Sequence, residues 1–264
     1  MNILVTGGTG HLGRPIVARL RQDGHHLRVL ARRPGDDVGV EWIRGDLGTG
    51  EGVAKAVAGA EVVVHAATNS PAAQRGRYRL GDLVRSPTDV DVDGTRALLE
   101  AAAETGVEHF VHVSIVGLPQ MARVPYASVK IAAEELVRTS PVPWSIVRAT
   151  GFYWLLDRLL AGMTRRRVVF LPAGVSMQPV DSDDFADYVV ETAMGGPRGE
   201  RQDFVGPETL TMRELTEQHL AARRLRRRIW QVQVPSSVKA ALGAHTSSDA
   251  RRGSTTWAQW LRRR

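Results

Sequence analysis

Cysteine is absent from the 264 residues, which excludes disulfides and thiolate metal sites and leads us to expect a reducing, cytoplasmic setting. No apolar run approaches the ~20 residues that cross a bilayer. The first apolar strand begins at residue 2, so neither a secretory leader nor a membrane anchor is expected. The eight histidines contain no His-x-x-x-His pair, and no metal site is expected. Gly-x-Ser-x-Gly, the setting of a hydrolase serine, is missing too. Internal repeats and low-complexity linkers are lacking, so residues 1–264 read as one unit whose C-terminal part is integral to it.

Acidic residues are the scarcer charge, 28 against 35 Lys and Arg, for a net charge of +7. The excess is concentrated in arginine runs at 165–167, 223–228 and 262–264. They lack the interleaved aromatics of a single-strand binder and match no helix-turn-helix, so they read as solvated surface and nucleic acid is not an expected partner.

What the chain does have is a strand, a glycine turn and a helix at its start. Ile3, Leu4 and Val5 lead into Thr6-Gly7-Gly8-Thr9-Gly10-His11-Leu12-Gly13, after which Leu12, Ile16 and Leu20 recur on one helical face. In such a turn Gly7 lets the chain leave the strand sharply, Gly10 leaves room for a pyrophosphate, and Gly13 lets the helix approach the strand. The phosphates would meet free amides at a helix N-terminus. A second apolar run over 27–31 completes a βαβ unit, and with it the case for a bound dinucleotide. That strand ends in Arg32-Arg33, where an acidic residue would hold the ribose hydroxyl of NAD. Two guanidinium groups suit a 2′-phosphate instead, so NADP(H) is the expected cofactor.

A short strand over 40–43 leads to Asp46 and Leu47. Asp46 is placed either to hold an adenine amino group or to cap the turn that follows. The strand over 61–65 ends in Ala66-Ala67, small enough for a cofactor to lie on the backbone. Residues 69–87 read as a polar loop over the site. A helix is expected over 88–105, with Val92, Thr95, Leu99 and Ala102 inward and Gly106 ending it. Ser114 closes the next strand, and Tyr126 and Lys130 share a helical face at i, i+4. An ammonium there would lower the tyrosine pKa from ~10 and make the phenol a usable acid or base, with the serine orienting a substrate carbonyl. Beyond a strand over 144–148, Phe152 and Tyr153 belong to the most aromatic stretch and are candidates for an apolar substrate pocket. Later come a helix with Phe185, Val189 and Val190 inward, and a capping box, Thr211 to Glu214, opening a helix with Leu215, His219 and Ala222 on one side. An extended piece follows over 229–234, then a terminal anchor built on Trp257 and Trp260.

The segments 6–13, His65-Ala66-Ala67-Thr68, Val113-Ser114, Tyr126-Ala127-Ser128-Val129-Lys130 and 147–152 resemble the short-chain dehydrogenase/reductase superfamily, and within it the atypical, NmrA-like branch of NAD(P)-binding proteins. The resemblance covers nearly the whole chain. It implies an α/β fold with a seven-stranded, doubly wound Rossmann sheet and a small C-terminal substrate lobe, from segments near 151–180 and 206–264. It also implies that Ser114, Tyr126 and Lys130 match the superfamily's catalytic serine, tyrosine and lysine, with Lys130 holding the nicotinamide ribose. Gly151 departs from the pattern, standing where relatives commonly carry a larger polar residue, and the 69–87 loop aligns with no motif. The expected activity is NADP(H)-dependent reduction or oxidation of a small, largely apolar carbonyl or quinone compound. The branch also contains proteins that sense NADP(H) without turnover, and epimerase-type chemistry on a nucleotide sugar is a third reading.

Overall fold

A parallel strand covered on both faces buries nearly every side chain, and so appears in sequence as an unbroken apolar run. In the computed structural model, which describes residues 1–70, 75, 86–244, 246–247 and 249–264, β1 (Asn2–Thr6) is such a strand. It lies between β2 (His26–Ala31) and β4 (Val62–His65), with β3 (Val40–Arg44) beyond β2. On the other side of β4 come β5 (His109–Ile115) and β6 (Trp144–Ala149), all parallel. The order 3-2-1-4-5-6 is that of a doubly wound Rossmann sheet, and the direction of winding reverses between β1 and β4, where such sheets bind their ligands. Seven strands were expected in this sheet; nine are present among the described residues. Alongside β6 two short pieces share one edge, β9 (Gly199–Glu200) near its start and β10 (Phe204–Val205) at its end, and β13 (Arg251–Arg252) pairs with β10. Strands of two residues carry no periodicity that a sequence could reveal.

Helices α1 (Gly13–Gln22) and α6 (Ser182–Met194) cover one face of the sheet, where Ile16, Leu20, Phe185 and Val189 pack on Ile3, Val5, Val64 and Val111. The opposite face carries α2 (Val53–Val57), α3 (Gly94–Thr105) and α4 (Pro125–Thr139), with Leu98, Ala102 and Val137 against Leu4, Val63, Phe110 and Ile146. Each of the larger side chains contributes about 1.5–3 kcal/mol by leaving water.

A third core joins α5 (Tyr153–Met163), α7 (Met212–Ala222) and α9 (Trp257–Arg262). The Trp257 and Trp260 rings stack there with centroids 5.3 Å apart, and the Trp257 indole N–H donates to the Leu215 carbonyl at 3.1 Å. Both α7 and α9 open on capping boxes, Thr211 with Glu214 and Thr256 with Gln259. A parallel ribbon of β7 (Val168–Pro172) and β12 (Arg228–Val232), an antiparallel pair of β8 (Ser176–Met177) and β11 (Leu210–Thr211), and α8 (Ser236–Gly243) complete this end.

Two expectations need correction. Ala222 is exposed at the end of α7, whereas Leu215 and His219 are buried. The helix expected over 88–105 is α-helical only from Gly94. Before it the chain makes a wider turn, in which the Asp93 N–H reaches back five residues to the Thr88 carbonyl at 3.2 Å. The wider turn shifts the helical phase, so Asp91 is buried at 1% exposure and Val92 only half-buried. Of the loop expected over 69–87, residues 71–74 and 76–85 lie outside the described residues.

Candidate active site

The glycine turn at the end of β1 is set by contacts that only glycine permits. Gly7 has φ +73°, and a Cβ there would stand 2.7 Å from the backbone of Ala66 and Ala67. A Cβ on Gly13 would stand 2.0 Å from the Gly7 carbonyl oxygen, so this glycine seats α1 against the turn. Gly8, to which the sequence assigned no task, fits under Val29 in the same way, 2.7 Å from its Cγ1. Gly10 differs: a Cβ there would meet only the Gly7 oxygen, at 3.1 Å, and otherwise points into open space. The amides of His11, Leu12 and Gly13 make no backbone hydrogen bond among the described residues. Open space beside free amides at the head of α1 is what a pyrophosphate requires. His11 stacks on Trp154 of α5 at 4.1 Å, and its pKa is lowered by burial and by the nearby charges of Arg264, Arg14 and Arg158. Thr9 is exposed beside it and Leu12 is buried under the turn.

Around this turn stand the other residues expected to meet a dinucleotide. Arg32 and Arg33 follow β2, both exposed and without a hydrogen bond or ion pair among the described residues. The Asp46 carboxylate accepts the Gly48 N–H at 2.9 Å and so closes its own turn, while Leu47 belongs to the core. Ala66 and Ala67 are half-buried at the end of β4.

At the carboxyl ends of β4 and β5, four side chains connect. Tyr126 Oη lies 2.8 Å from Thr68 Oγ1, which in turn donates to Asp91 Oδ1 at 2.7 Å. Lys130 Nζ, from the turn of α4 after Tyr126, stands 3.5 Å from the same Asp91 oxygen and donates to the Val113 carbonyl at 3.0 Å. Lys130 and Asp91 are both almost fully buried. Neither Thr68 nor Asp91 was given a role from the sequence. Thr68 closes the segment His65-Ala66-Ala67-Thr68 without a task of its own there, and Asp91 was obscured by the wide turn.

A second chain of hydrogen bonds supports the first. His65 bridges Thr6 (Nδ1 to Oγ1, 2.7 Å) and Thr95 (Nε2 to Oγ1, 2.9 Å), and the Thr95 hydroxyl donates to the Asp91 carbonyl at 2.7 Å. With the Thr95 hydrogen committed, His65 Nε2 must be the donor, and in the neutral ring Nδ1 then accepts from Thr6. Burial and the Lys130 charge, partly offset by Asp91, push its pKa down to about 3.

Two groups of expected site residues stand in packed surroundings. Ser114 was assigned to substrate, yet its Oγ is sealed from solvent. It lies beside Glu134 of α4, near it but outside hydrogen-bond geometry. Burial raises the Glu134 pKa, but Arg148, Ser114 and Arg138 together draw it below the usual carboxylate value. That carboxylate accepts from Arg148 at 2.6 and 2.7 Å and from Arg138 at 2.6 Å, a network that ties α4 to β6. Phe152 is half-buried and Tyr153 is fully buried. The Tyr153 ring is 1% exposed between Trp257 and Trp260, with its hydroxyl on the Thr255 carbonyl, and Phe152 packs toward Phe185. The ring of this stretch that does reach the glycine turn is Trp154. A surface cleft lies at the amino ends of β1 and β2, by Asn2 and His26, opposite the site.

Among the described residues no three His, Asp or Glu side chains are grouped to hold a metal ion, and no helix is long and apolar enough to cross a membrane. The profile of the NAD(P)H-binding family matches residues 7–194. The chain is 28% identical to the photosystem II assembly factor Ycf39 of Cyanophora paradoxa over 199 residues, which are 73% of this chain and 59% of that protein. It is 31% identical to the (4-alkanoyl-5-oxo-2,5-dihydrofuran-3-yl)methyl phosphate reductase of Streptomyces griseus over 227 residues, 82% of this chain and 72% of that one. The first curated relatives are longer, and the chain spans 46% to 59% of their length. In fold it is similar to the dTDP-glucose 4,6-dehydratase of Streptomyces venezuelae, a structure with NAD bound, at TM-score 0.75 and 22% identity over 100% of this chain and 95% of that one. The chain belongs to the NAD(P)H-binding family.

Proposed function

We propose that this protein is an NADP(H)-dependent oxidoreductase that interconverts a small, largely apolar carbonyl or quinone compound and its reduced form. The observation that carries this reading is the junction of Tyr126 and Lys130, through Thr68 and Asp91, at the carboxyl ends of β4 and β5 beside the glycine turn. A phenol so placed is the acid or base that carbonyl chemistry needs. The bound cofactor would supply or accept the hydride. On this reading Gly7, Gly10, Gly13 and the amides of His11 and Leu12 hold the pyrophosphate, and Arg32 and Arg33 hold the 2′-phosphate. Tyr126 exchanges a proton with the substrate oxygen, and Lys130 adds positive charge behind it. The sealed hydroxyl of Ser114 leaves that residue a structural part beside Glu134. The similarity to a named reductase supports turnover; the similarity to an assembly factor favours a second reading, a protein that binds NADP(H) without turnover.

The deciding experiment is NADPH oxidation against a panel of quinones, ketones and aldehydes, with Tyr126→Phe as the control. An oxidoreductase turns over part of the panel, and the variant keeps cofactor binding but loses ~10²- to 10⁴-fold in rate. Tight NADPH binding with no turnover across the panel establishes the second reading instead.

A further inference from the structure

If Tyr126 exchanges a proton with substrate, the hydrogen bonds behind it decide where that proton goes. Thr68 has one hydroxyl hydrogen, and the Asp91 carboxylate, which only accepts, takes it at 2.7 Å. The 2.8 Å bond between Thr68 Oγ1 and Tyr126 Oη is therefore made with the phenol's hydrogen. Tyr126 donates inward. The second Asp91 oxygen accepts the Asn69 N–H at 2.8 Å, and the Asp91 backbone is held by Thr95 and, through it, by His65 and Thr6. Lys130, buried against the same carboxylate, balances its charge. A carboxylate with 1% exposure, fixed on three sides and joined to the phenol by one hydroxyl, is placed to do more than close a turn.

We propose that Thr68 and Asp91 are positioning residues that form a proton relay behind Tyr126, with Asp91 as its inner end and Lys130 as the counter-charge of that end. The inference rests on the oxidoreductase reading and deepens it. In alcohol oxidation the substrate hydroxyl proton passes to Tyr126 Oη, the phenolic hydrogen to Thr68 Oγ1, and the threonine hydrogen to Asp91 Oδ1. Three O–H bonds break and three form, the substrate C–H bond gives its hydride to the oxidised nicotinamide cofactor and so reduces it, and Asp91 ends as a neutral carboxylic acid beside Lys130. Carbonyl reduction is the reverse and starts from protonated Asp91. With the carboxylate ionised, the resting site is thus poised to take a proton.

The order of hydrogens is tested without turnover by titrating Tyr126 in the full chain through its phenolate absorbance, subtracting the same titration of Tyr126→Phe. A hydrogen bond given by the neutral phenol opposes its ionisation, as does the Asp91 charge. Asp91→Asn uncovers Lys130 and lets Thr68 turn its hydrogen to the phenolate, so the midpoint should fall by about one pH unit or more, tenfold in the ionisation constant. Thr68→Val should lower it by less, and Thr68→Ser should leave it unchanged. A midpoint that stays or rises in Asp91→Asn overturns the proposal. Because Thr68 is exposed, Thr68→Val decides alone if Asp91→Asn fails to fold, and a midpoint equal to wild type then overturns it. On any compound the wild type turns over, Thr68→Val should lose at least tenfold in kcat with KM and NADPH affinity unchanged, and Thr68→Ser should restore the rate. Full activity in Thr68→Val overturns the relay. Absence of all turnover refutes the oxidoreductase reading alone, because the titration still decides the order of hydrogens.

Discussion

Replacing Gly13 and Gly10 in turn by alanine separates the two roles that a glycine turn combines. At Gly13 the new Cβ would lie 2.0 Å from the Gly7 oxygen, 2.6 Å from the Gly7 carbonyl carbon and 2.6 Å from Gly8 Cα. All three are backbone atoms, so no side-chain rotation relieves the clash, and α1 must move about 1.5 Å from the turn to restore an ordinary contact. Overpacking of this kind costs typically 1–3 kcal/mol, and a clash with rigid backbone belongs at the upper end, about 3 kcal/mol. For a chain of this size each kcal/mol lowers Tm by roughly 2–4 °C, so Gly13→Ala should melt about 6–12 °C below wild type. At Gly10 the added Cβ meets a single oxygen at 3.1 Å, which a shift of a few tenths of an ångström relieves. Gly10→Ala should therefore stay within about 4 °C of wild type. Its methyl group nonetheless occupies the space beside the free amides, and NADPH affinity should fall at least tenfold, about 1.4 kcal/mol. Scanning calorimetry gives the first quantity and titration calorimetry the second. A Gly13→Ala protein that melts with wild type refutes the packing argument, and a Gly10→Ala protein that binds NADPH normally places the phosphates elsewhere.

Arg32→Ala combined with Arg33→Ala should weaken NADPH at least tenfold and leave NADH nearly unchanged, since charged hydrogen bonds contribute about 1.5–3 kcal/mol each; equal losses for both dinucleotides would sink the 2′-phosphate assignment. Ser114→Ala should keep turnover within the order of magnitude of wild type, because its hydroxyl is sealed beside Glu134; a loss on the scale of Tyr126→Phe would return the serine to the substrate. Acid should weaken the fold through its buried histidines: burial, then Lys130, pushes His65 down to about 3, and burial first also lowers His112 well below its usual value. The sign follows from the unfolded chain, which takes up protons below about 6.5 that the native rings refuse. Stability is therefore level above about pH 6.5 and declines from there toward about pH 3, by at most ~1.4 kcal/mol per pH unit for each ring. Urea midpoints that fail to drop between about pH 7 and pH 5 would show that the rings protonate in place.

The α/β class, the glycine turn and the helical pairing of Tyr126 with Lys130 were legible in the chain itself, because each is written in local spacing. An unbroken apolar run such as Val62, Val63 and Val64 buries on both faces wherever the sheet closes, and residues at i and i+4 share a helical face in any fold. The remainder depended on contacts distant in sequence. Seating α1 against the turn requires that Gly13 meet Gly7, but the task of Gly8 appears only when Val29 of the next strand lies across it. Spacing placed Ser114 at the end of β5, but not on which side of the sheet its hydroxyl would stand, and that side faces Glu134 and its arginines. The aromatic run at 152–154 could not say which ring would be core; Trp257 and Trp260, about a hundred residues later, claim Tyr153 and leave Trp154 to His11. Above all, Asp91 reads as one more polar residue in the first turn of a helix. Only a turn with one extra residue, closed by a bond from Asp93 to Thr88, rotates that carboxylate inward to meet Thr68 and Lys130. A buried charge needs partners from several elements at once, and those meet only when the whole sheet is assembled.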